Sequence, residues 1–456
     1  MFSFEWLQRF FPDILNPEQL RTPAVSHVST DSRKKQEHTL FIPLAGETFD
    51  AHDFAEQAIA NGAIALFWER SKPVPSTVSE HAAVFLVDDT LEALQTLAAG
   101  YRQLVNPLVI GITGSNGKTT TKDLVSAVFK KYRRTHHTQG NLNNHIGMPL
   151  TILSMPRDTE VLIAEMGMNH AGEIELLSGI AKPDYAVITN IGESHIEHLG
   201  SREGIAQAKL EIATGLQPDG WLILDADEPL LDEARKRRNV LTCGFTGQSD
   251  VHIDQAEVSL SGTVFRIEGV GQFSIPLHGR HHAKNAAYAV ALAQKNGISA
   301  DEIQSGFEEL AMTAMRFEWL KGSGNETIIN DAYNASPTSM KGAIEVAAQI
   351  DGFRHKVLVL GDIFELGEHA EALHKSVAEA IAPQISALFT YGEAAKWISE
   401  ASRVRNPDIP TCHFKDEASL IEALSPYRNE QSLLLFKASR GMKFEQIIQK
   451  LLPEER

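Results

Sequence analysis

The run LVIGITGSNGKTTTKD, which begins at Leu108, constrains this chain more than any other stretch. LVIGI, after Pro107, has the composition of a short buried strand. Beyond the loop, KDLVSAVFK sets Leu124 with Val128 and Val125 with Phe129 at four-residue spacing, as one face of a helix does. Between the two elements Gly111, Gly114 and Gly117 let main-chain N–H groups approach an anion, while Lys118 brings a point charge and Thr119 a hydroxyl for Mg²⁺. The helix N-terminus adds the positive end of its dipole at the same place. Strand, glycine loop and helix in this order predict an α/β core that holds nucleotide phosphates, with Gly114, Ser115, Asn116, Gly117, Lys118, Thr119 and Thr120 as the cradle. The spacing departs from G-x-x-x-x-G-K-[ST], because Ile112 stands five places before Gly117, so the loop is one residue longer.

A phosphate loop alone fits a switch, a kinase, a motor or a ligase, so the rest of the chain has to choose. At 456 residues there is room for about three domains at roughly 150 residues each. Net charge is −17, which argues against a general nucleic-acid surface but leaves room for an anionic small molecule in a locally basic pocket. Cys243 and Cys412 fit no metal spacing and read as reduced thiols. Glu5, Arg9 and Asp13 interrupt the apolar N-terminus, and no run approaches the ~20 apolar residues of a membrane span. The expectation is a cytoplasmic protein without membrane insertion.

Three α/β units follow from the patterning. Residues 1–90 carry short β-rich pieces (AVSHVSTDS, TLFIPLAG, AIALFWE, AAVFLVDD) around one helical segment. Residues 91–318 open on a helical run, LEALQTLAAGYRQLV, and continue through strands TEVLIAEMG, DYAVITNIG and GWLILDADE, predicting a mainly parallel sheet around the phosphate loop. Residues 319–456 alternate strand and helix so regularly that a doubly wound, Rossmann-like unit is expected.

Other side chains bear on the phosphate. Glu165 ends the strand VLIAE and so emerges at the carboxyl edge of the sheet, where a carboxylate can hold Mg²⁺; a strand-end Glu is equally a solvated charge. His195, in TNIGESHIEHLG, is expected at that edge too, although a loop histidine is often only structural. In REGIAQAKLEIATGL the spacing of Ile205, Lys209, Ile212 and Leu216 puts a lysine in the apolar stripe of a helix. On pattern alone a snorkelling ammonium explains it. If the amine is buried instead, its pKa falls, and the neutral form can add CO₂ to become a carbamate, an anionic metal ligand. His195 and carbamylated Lys209 would then serve a second Mg²⁺.

With these segments assembled, the chain resembles the Mur ligases, ATP-dependent amide-forming enzymes of peptidoglycan synthesis. The likeness runs through GITGSNGKTT, TQGNLNNHIGMP, EMGMNHAGEI, TNIGESHIEHLGSREGIAQAKLEI and GRHHAKNAAYAVALA in order, and into both flanking units. It implies that STDSRKKQEHTLFIPLAGETFDAHDF is a UDP-binding module using Ser32 and Arg33, and that Asn141, Asn143 and Asn144 meet the UDP-sugar substrate. It further implies adenine and ribose contacts at Asn285, Arg316 and Asp331, Mg²⁺ at Thr119 and Glu165, and a catalytic group of Lys118, Glu165, His195 and Lys209.

DAYNASP, LGDIFELG and SRGM are similar to the branch that adds a dipeptide. The reaction implied joins D-alanyl-D-alanine to UDP-N-acetylmuramoyl-tripeptide through an acyl phosphate, with ATP as cosubstrate and a monomeric enzyme. The alternatives are the preceding stem-peptide ligase, whose Y-A-H-T-P-D and D-N-P-R are absent; folylpolyglutamate synthetase, which needs no UDP module; and a non-catalytic nucleotide-dependent scaffold. Two positions depart from the pattern: His282 stands where Asn is usual, and Ala51 where D-G-H has Gly.

Overall fold

The structure, a computed structural model, describes residues 1–20, 24–46, 48–259, 261–311 and 315–453. It is α/β throughout, built on sheets of four, nine and six strands and a two-stranded ribbon that pairs Phe2–Ser3 with Ala24–Val25. Among the described residues no helix is long and apolar enough to cross a membrane.

The four-stranded sheet is parallel, in the order His27–Ser29, Thr39–Phe41, Ala63–Glu69, Ala83–Val87. From its last strand the chain enters the helix Thr90–Val105, capped at its start by Asp89, which accepts from the Glu92 N–H, and ended by Asn106 in the left-handed region ahead of Pro107. Leu94, Leu97 and Tyr101 of this helix are buried, and the Tyr101 hydroxyl donates to the Met155 carbonyl at 2.8 Å. The helix thus fastens the first sheet to the second.

In the nine-stranded sheet the order is Gly271–Ile275, Gly262–Ile267, Val251–Ser259, Val240–Gly244, Trp221–Asp225, Tyr185–Ile188, Leu108–Thr113, Val161–Glu165, Thr135–His137. From Val251–Ser259 to Thr135–His137 every pairing is parallel; the other two strands join antiparallel at one edge. These parallel strands are apolar on both faces because helices cover both. Leu108–Thr113 lies between strands reached by crossovers in opposite directions, so its carboxyl end is the crevice where such sheets bind ligands. Register sets Glu165 beside Ile112 and Ile188 beside Thr113. The helix that leaves this crevice, Lys118–Lys130, starts earlier than its apolar spacing alone indicates and packs Leu124, Val125, Val128 and Phe129 fully out of water, alongside the alanine-rich helix Arg280–Lys295. At roughly 1.5–3 kcal/mol per fully buried large apolar side chain, that pair is a rigid floor for the loop.

The six-stranded sheet runs Glu318–Lys321, Thr327–Asn330, Ser432–Lys437, His355–Gly361, Ala387–Tyr391, Thr411–Phe414, parallel except for the first strand. Alternate residues part to opposite faces. Leu358, Leu360, Leu433 and Leu435 pack with Met340, Ile344, Val377 and Ile398 from three helices, whereas Val357, Val359, Leu434 and Phe436 pack with Leu420, Leu424, Phe444 and Ile447. This is the doubly wound arrangement that the strand–helix alternation implies. The antiparallel edge strand Glu318–Lys321 was not part of that reading; its alternating partly buried and exposed residues carry too weak an apolar signal.

Candidate active site

Gly114 and Gly117 shape the loop. Gly114, at φ +147°, passes so near Thr189 that an added Cβ would lie 1.9 Å from its Oγ1; Gly117, at φ +80°, would bring one to 2.6 Å from Asn285 Oδ1. Side chains at either place are excluded by space as well as by backbone conformation. The following loop, residues 189–192, braces the cradle. Ser115 N–H donates to the Asn190 carbonyl (3.0 Å), Asn116 N–H to Asn190 Oδ1 (3.0 Å), Gly192 N–H to Ser115 Oγ (2.8 Å), and Thr189 Oγ1 to the Asn116 carbonyl (2.6 Å). The loop is therefore preorganised by main-chain geometry.

Lys118 Nζ folds over this cradle and donates to the Gly114 and Ser115 carbonyls at 2.7 and 3.3 Å. Burial pushes its pKa down, the Glu165 carboxylate raises it and Arg316 lowers it. A phosphate would exchange weak carbonyl partners for a full negative charge. Thr119 and Thr120, both buried, begin the helix directly behind it.

Glu165 is 2 % exposed; its Oε1 accepts from Asn143 Nδ2 at 2.8 Å, and its Oε2 is buried without a hydrogen-bond partner among the described residues. A buried carboxylate oxygen left open is costly unless a cation or donor completes it, so this donor set fits Mg²⁺ with the Thr119 hydroxyl. Among the described residues no group of three or more His, Cys, Asp or Glu side chains gathers to hold a metal. Any cation here depends on threonine, substrate oxygens or a modified lysine.

Lys209 is 1 % exposed, among the largest fully buried side chains of the described residues. Snorkelling is thus overturned: the helix runs Arg202–Leu210, continues as a tight turn to Ala213, and turns the lysine inward with Ile205 and Ile212. Burial pushes its pKa well below the ordinary lysine value, and the charge of Lys118 pushes the same way, which also places the two amines in one electrostatic neighbourhood. His195 stands in the left-handed region at φ +66°, in the loop that braces Ser115, with its Nδ1 against the carboxylate of Glu365, in the loop after the strand His355–Gly361.

One cavity of about 720 Å³ joins the loop to the third sheet, lined by Ser115–Thr120, Asn285, Arg316 and Asp331, among others. Arg316 lies over the Tyr333 ring at 4.4 Å, and Asp331 is held by Lys437 at 2.6 Å and by the Phe317 N–H at 3.2 Å. His282 Nδ1 sits 3.4 Å from Asn285 Nδ2, and burial pushes its pKa well down, so it stands there as a neutral ring. On another wall Lys284 bridges Asp225 and Asp227, each at 2.8 Å. Sequence reading passed over Lys437, Lys284 and Glu365. Lys437 had a signal, a lone lysine ending an apolar strand, the position Glu165 occupies in its own sheet.

The candidate substrate residues are less concentrated. Asn143 belongs to the centre through Glu165; Asn144 Oδ1 caps the helix Gly147–Leu153 by accepting from Gly147 N–H at 2.8 Å, and Asn141 is exposed. Ser32 and Arg33 follow the first strand of the four-stranded sheet, where Ser32 bonds Gln57 (2.7 Å) and Arg33 forks onto Asp31 (2.8 and 2.9 Å) while remaining exposed. Ala51 is buried at the start of a short helical turn that Asp50 caps.

Models of three Mur families match this chain: the Mur ligase family catalytic domain over residues 24–102, the Mur ligase middle domain over 112–293, and the Mur ligase glutamate ligase domain over 315–440. The UDP-N-acetylmuramoyl-tripeptide–D-alanyl-D-alanine ligase of Bacillus subtilis (strain 168) is 47% identical over 441 residues, covering 96% of this chain and 95% of its own. Its counterpart from Escherichia coli (strain K12) is 36% identical, with 96% of each chain covered. A crystal structure of MurF from Acinetobacter baumannii superimposes with a TM-score of 0.87 at 30% identity, covering 99% of this chain and 98% of that one. Domain models, sequence relatives and superposition agree, and the chain belongs to the Mur ligase family.

Proposed function

We propose that this protein is the ATP-dependent amide ligase that joins D-alanyl-D-alanine to UDP-N-acetylmuramoyl-tripeptide in the making of peptidoglycan precursors. What supports the reading is the glycine cradle at the carboxyl end of its strand, with the buried Glu165 carboxylate ending the neighbouring strand and a buried lysine, Lys209, that feels the charge of Lys118. Relatives of that name match nearly end to end.

The terminal carboxylate of the tripeptide attacks the γ-phosphorus of ATP, releasing ADP and leaving an acyl phosphate. The amine of D-alanyl-D-alanine adds to the acyl carbon, and collapse expels phosphate and forms the amide. Lys118 turns from the loop carbonyls to the transferring phosphoryl group and stabilises its charge, while the main-chain N–H groups from Gly114 to Thr120 hold the rest of the chain of phosphates. Thr119 and Glu165 would hold Mg²⁺, which when bound neutralises phosphate charge; His195 and carbamylated Lys209 would hold a second ion on the acyl side. Asn285, Arg316 and Asp331 line the cavity that would take adenine and ribose, with neutral His282 beside Asn285. Ser32, Arg33 and Asn141, Asn143 and Asn144 receive the UDP-sugar.

In this reading residues 1–90 grip the UDP moiety, 91–318 hold ATP, and 319–456 form the Rossmann-like ligase unit, the whole acting as a monomer in the cytoplasm. A mass-spectrometric product assay over a panel of UDP-peptides and amino donors tests it. Amide product and phosphate release that both require UDP-tripeptide and D-alanyl-D-alanine support it; product with a free diamino acid, or ATP hydrolysis indifferent to both substrates, would refute it.

A further inference from the structure

Two loops leave the carboxyl edge of the six-stranded sheet side by side, 362–367 after His355–Gly361 and 438–443 after the neighbouring strand Ser432–Lys437. Ligands of parallel sheets bind at such edges. Hydrogen bonds tie the two loops into one corner: Ser439 N–H donates to the Asp362 carbonyl at 3.0 Å, and Phe364 N–H to Ser439 Oγ at 2.9 Å. The Asp362 carboxylate is fixed in turn by the N–H groups of Glu393, Ala394 and Ala395, at 2.9, 2.9 and 2.7 Å. On this braced main chain two side chains stand in the open. Phe364 is 46 % exposed, and its ring comes so near Gly441 that an added Cβ would lie 2.7 Å from Cε2, so ring and glycine fit only each other. Arg440 is 55 % exposed; its Nη1 reaches Glu445 at 3.2 Å and Met315 Sδ at 3.1 Å. Both contacts use Nη1, so the Nε–Nη2 edge is where a carboxylate can be met by two parallel bonds.

The corner has a direction. The Glu365 carbonyl accepts from the Glu197 N–H at 3.3 Å, and a Cβ on Gly367 would lie 3.1 Å from Glu197 Cγ, so this end of the loop rests on the turn Ile196–Leu199, directly after His195. Away from the acyl side of the site the order is therefore Glu365, Phe364, Gly441, Arg440. A dipeptide whose amine attacks an acyl carbon there carries its carboxylate about 7 Å off, two residues at roughly 3.3–3.6 Å each. Along that span it needs a small apolar surface for two methyl groups, then a cation. We infer that Phe364 and Arg440 select the dipeptide: the ring packs on the methyl groups of D-alanyl-D-alanine, and the guanidinium pairs with its terminal carboxylate. A single amino acid with its amine in place falls short of Arg440. The inference rests on the proposed ligation and names the side chains that grip its amine-bearing substrate.

The test compares the full-length parent with Arg440→Met and Phe364→Ala, each checked for a cooperative melt. KM and kcat are measured with D-alanyl-D-alanine, with its C-terminal amide and with D-alanine. The parent should use the amide and the single residue at least about 10-fold less well in kcat/KM, the size of a hydrogen bond to a charged group. Arg440→Met should raise KM for the dipeptide by about 10–100-fold, leave KM for ATP and UDP-tripeptide within about 2-fold, and use acid and amide alike. A merely loosened fold would weaken both donors in proportion and keep the parent's acid-to-amide ratio. Phe364→Ala should raise KM for acid and amide together, by about 5-fold, with that ratio kept. Arg440→Met with the parent's KM or the parent's acid-to-amide ratio overturns this inference alone. So does a parent that uses the amide as well as the acid, an outcome that needs no variant to fold. A parent that ligates a free diamino acid but not D-alanyl-D-alanine overturns the proposed function and this inference with it.

Discussion

The Ser336 hydroxyl donates to Asn116 Oδ1 across 3.1 Å, tying the first residue of a helix on the six-stranded sheet to the middle of the glycine cradle. Ser336 also caps that helix, Pro337–Gln349, in a reciprocal box with Ser339. Two roles therefore meet in one hydroxyl, and they can be separated. Ser339→Ala removes only the half of the box in which Ser339 Oγ accepts from the Ser336 N–H; Ser336→Ala removes the other half, in which Ser336 Oγ accepts from the Ser339 N–H, together with the bond to the loop. A net hydrogen bond is worth about 1 kcal/mol, so Ser336→Ala should show kcat/KM for ATP roughly fivefold below that of Ser339→Ala at similar melting temperature. Equal values for the two variants would mean that the bond across the seam does not support nucleotide binding.

Lys209 makes a prediction about pH. Its pKa in the fold is well below the ordinary lysine value, because burial disfavours the ammonium. Between the two pKa values the unfolded chain binds a proton that the folded chain does not, so stability rises with pH across that window. In CO₂-free buffer without nucleotide, Lys209→Met removes this penalty. The variant should be more stable than the parent at neutral pH, and the gain should shrink as pH climbs towards the ordinary lysine value. Thermal melts across pH 6–10 check it; a gain that grows with pH would contradict it.

The same lysine tests the carbamate. Lys209→Ala should lose about 10²-fold or more in kcat, as removal of one preorganised charge-stabilising group does. Short carboxylic acids, filling the space with an anion, should restore part of it. Full activity of Lys209→Ala without additive would end the proposal.

Two glycines should respond in opposite ways to alanine. At Gly114 the new Cβ meets Thr189 Oγ1 at 1.9 Å in a backbone region that side chains avoid, whereas Gly179, inside the helix Glu173–Ala181, has nothing within 4 Å. Gly114→Ala should abolish measurable ATP binding by calorimetry. Gly179→Ala should raise stability in urea by about 0.5–1 kcal/mol, the helix-propensity difference, with activity unchanged.

Much of this site was legible because it is local. The strand, Gly114, Gly117, Lys118 and Thr119 occupy one short stretch whose geometry follows from residue type, and Glu165 is placed by where its strand ends. Lys209 was legible only halfway. Helical spacing put it in an apolar stripe, but whether a long side chain then snorkels or stays buried is decided by the elements packed over it, and here they enclose it. The contacts between sheets, Ser336 with Asn116 and Glu365 with His195, join residues far apart in sequence, and nothing local in either segment marks the other as its partner. The edge strand Glu318–Lys321 escaped for a related reason: its pairing with Thr327–Asn330, rather than its own composition, makes it a strand.

The central claim is that the phosphate loop serves to activate a carboxylate. Oxygen labelling follows that step directly: UDP-N-acetylmuramoyl-tripeptide carrying ¹⁸O in its terminal carboxylate is turned over with ATP and D-alanyl-D-alanine, and the released phosphate is analysed by mass spectrometry. An acyl phosphate passes one carboxylate oxygen to phosphorus, so phosphate bearing a single ¹⁸O is the predicted result. Phosphate whose new oxygen comes only from the water of the medium would contradict the account.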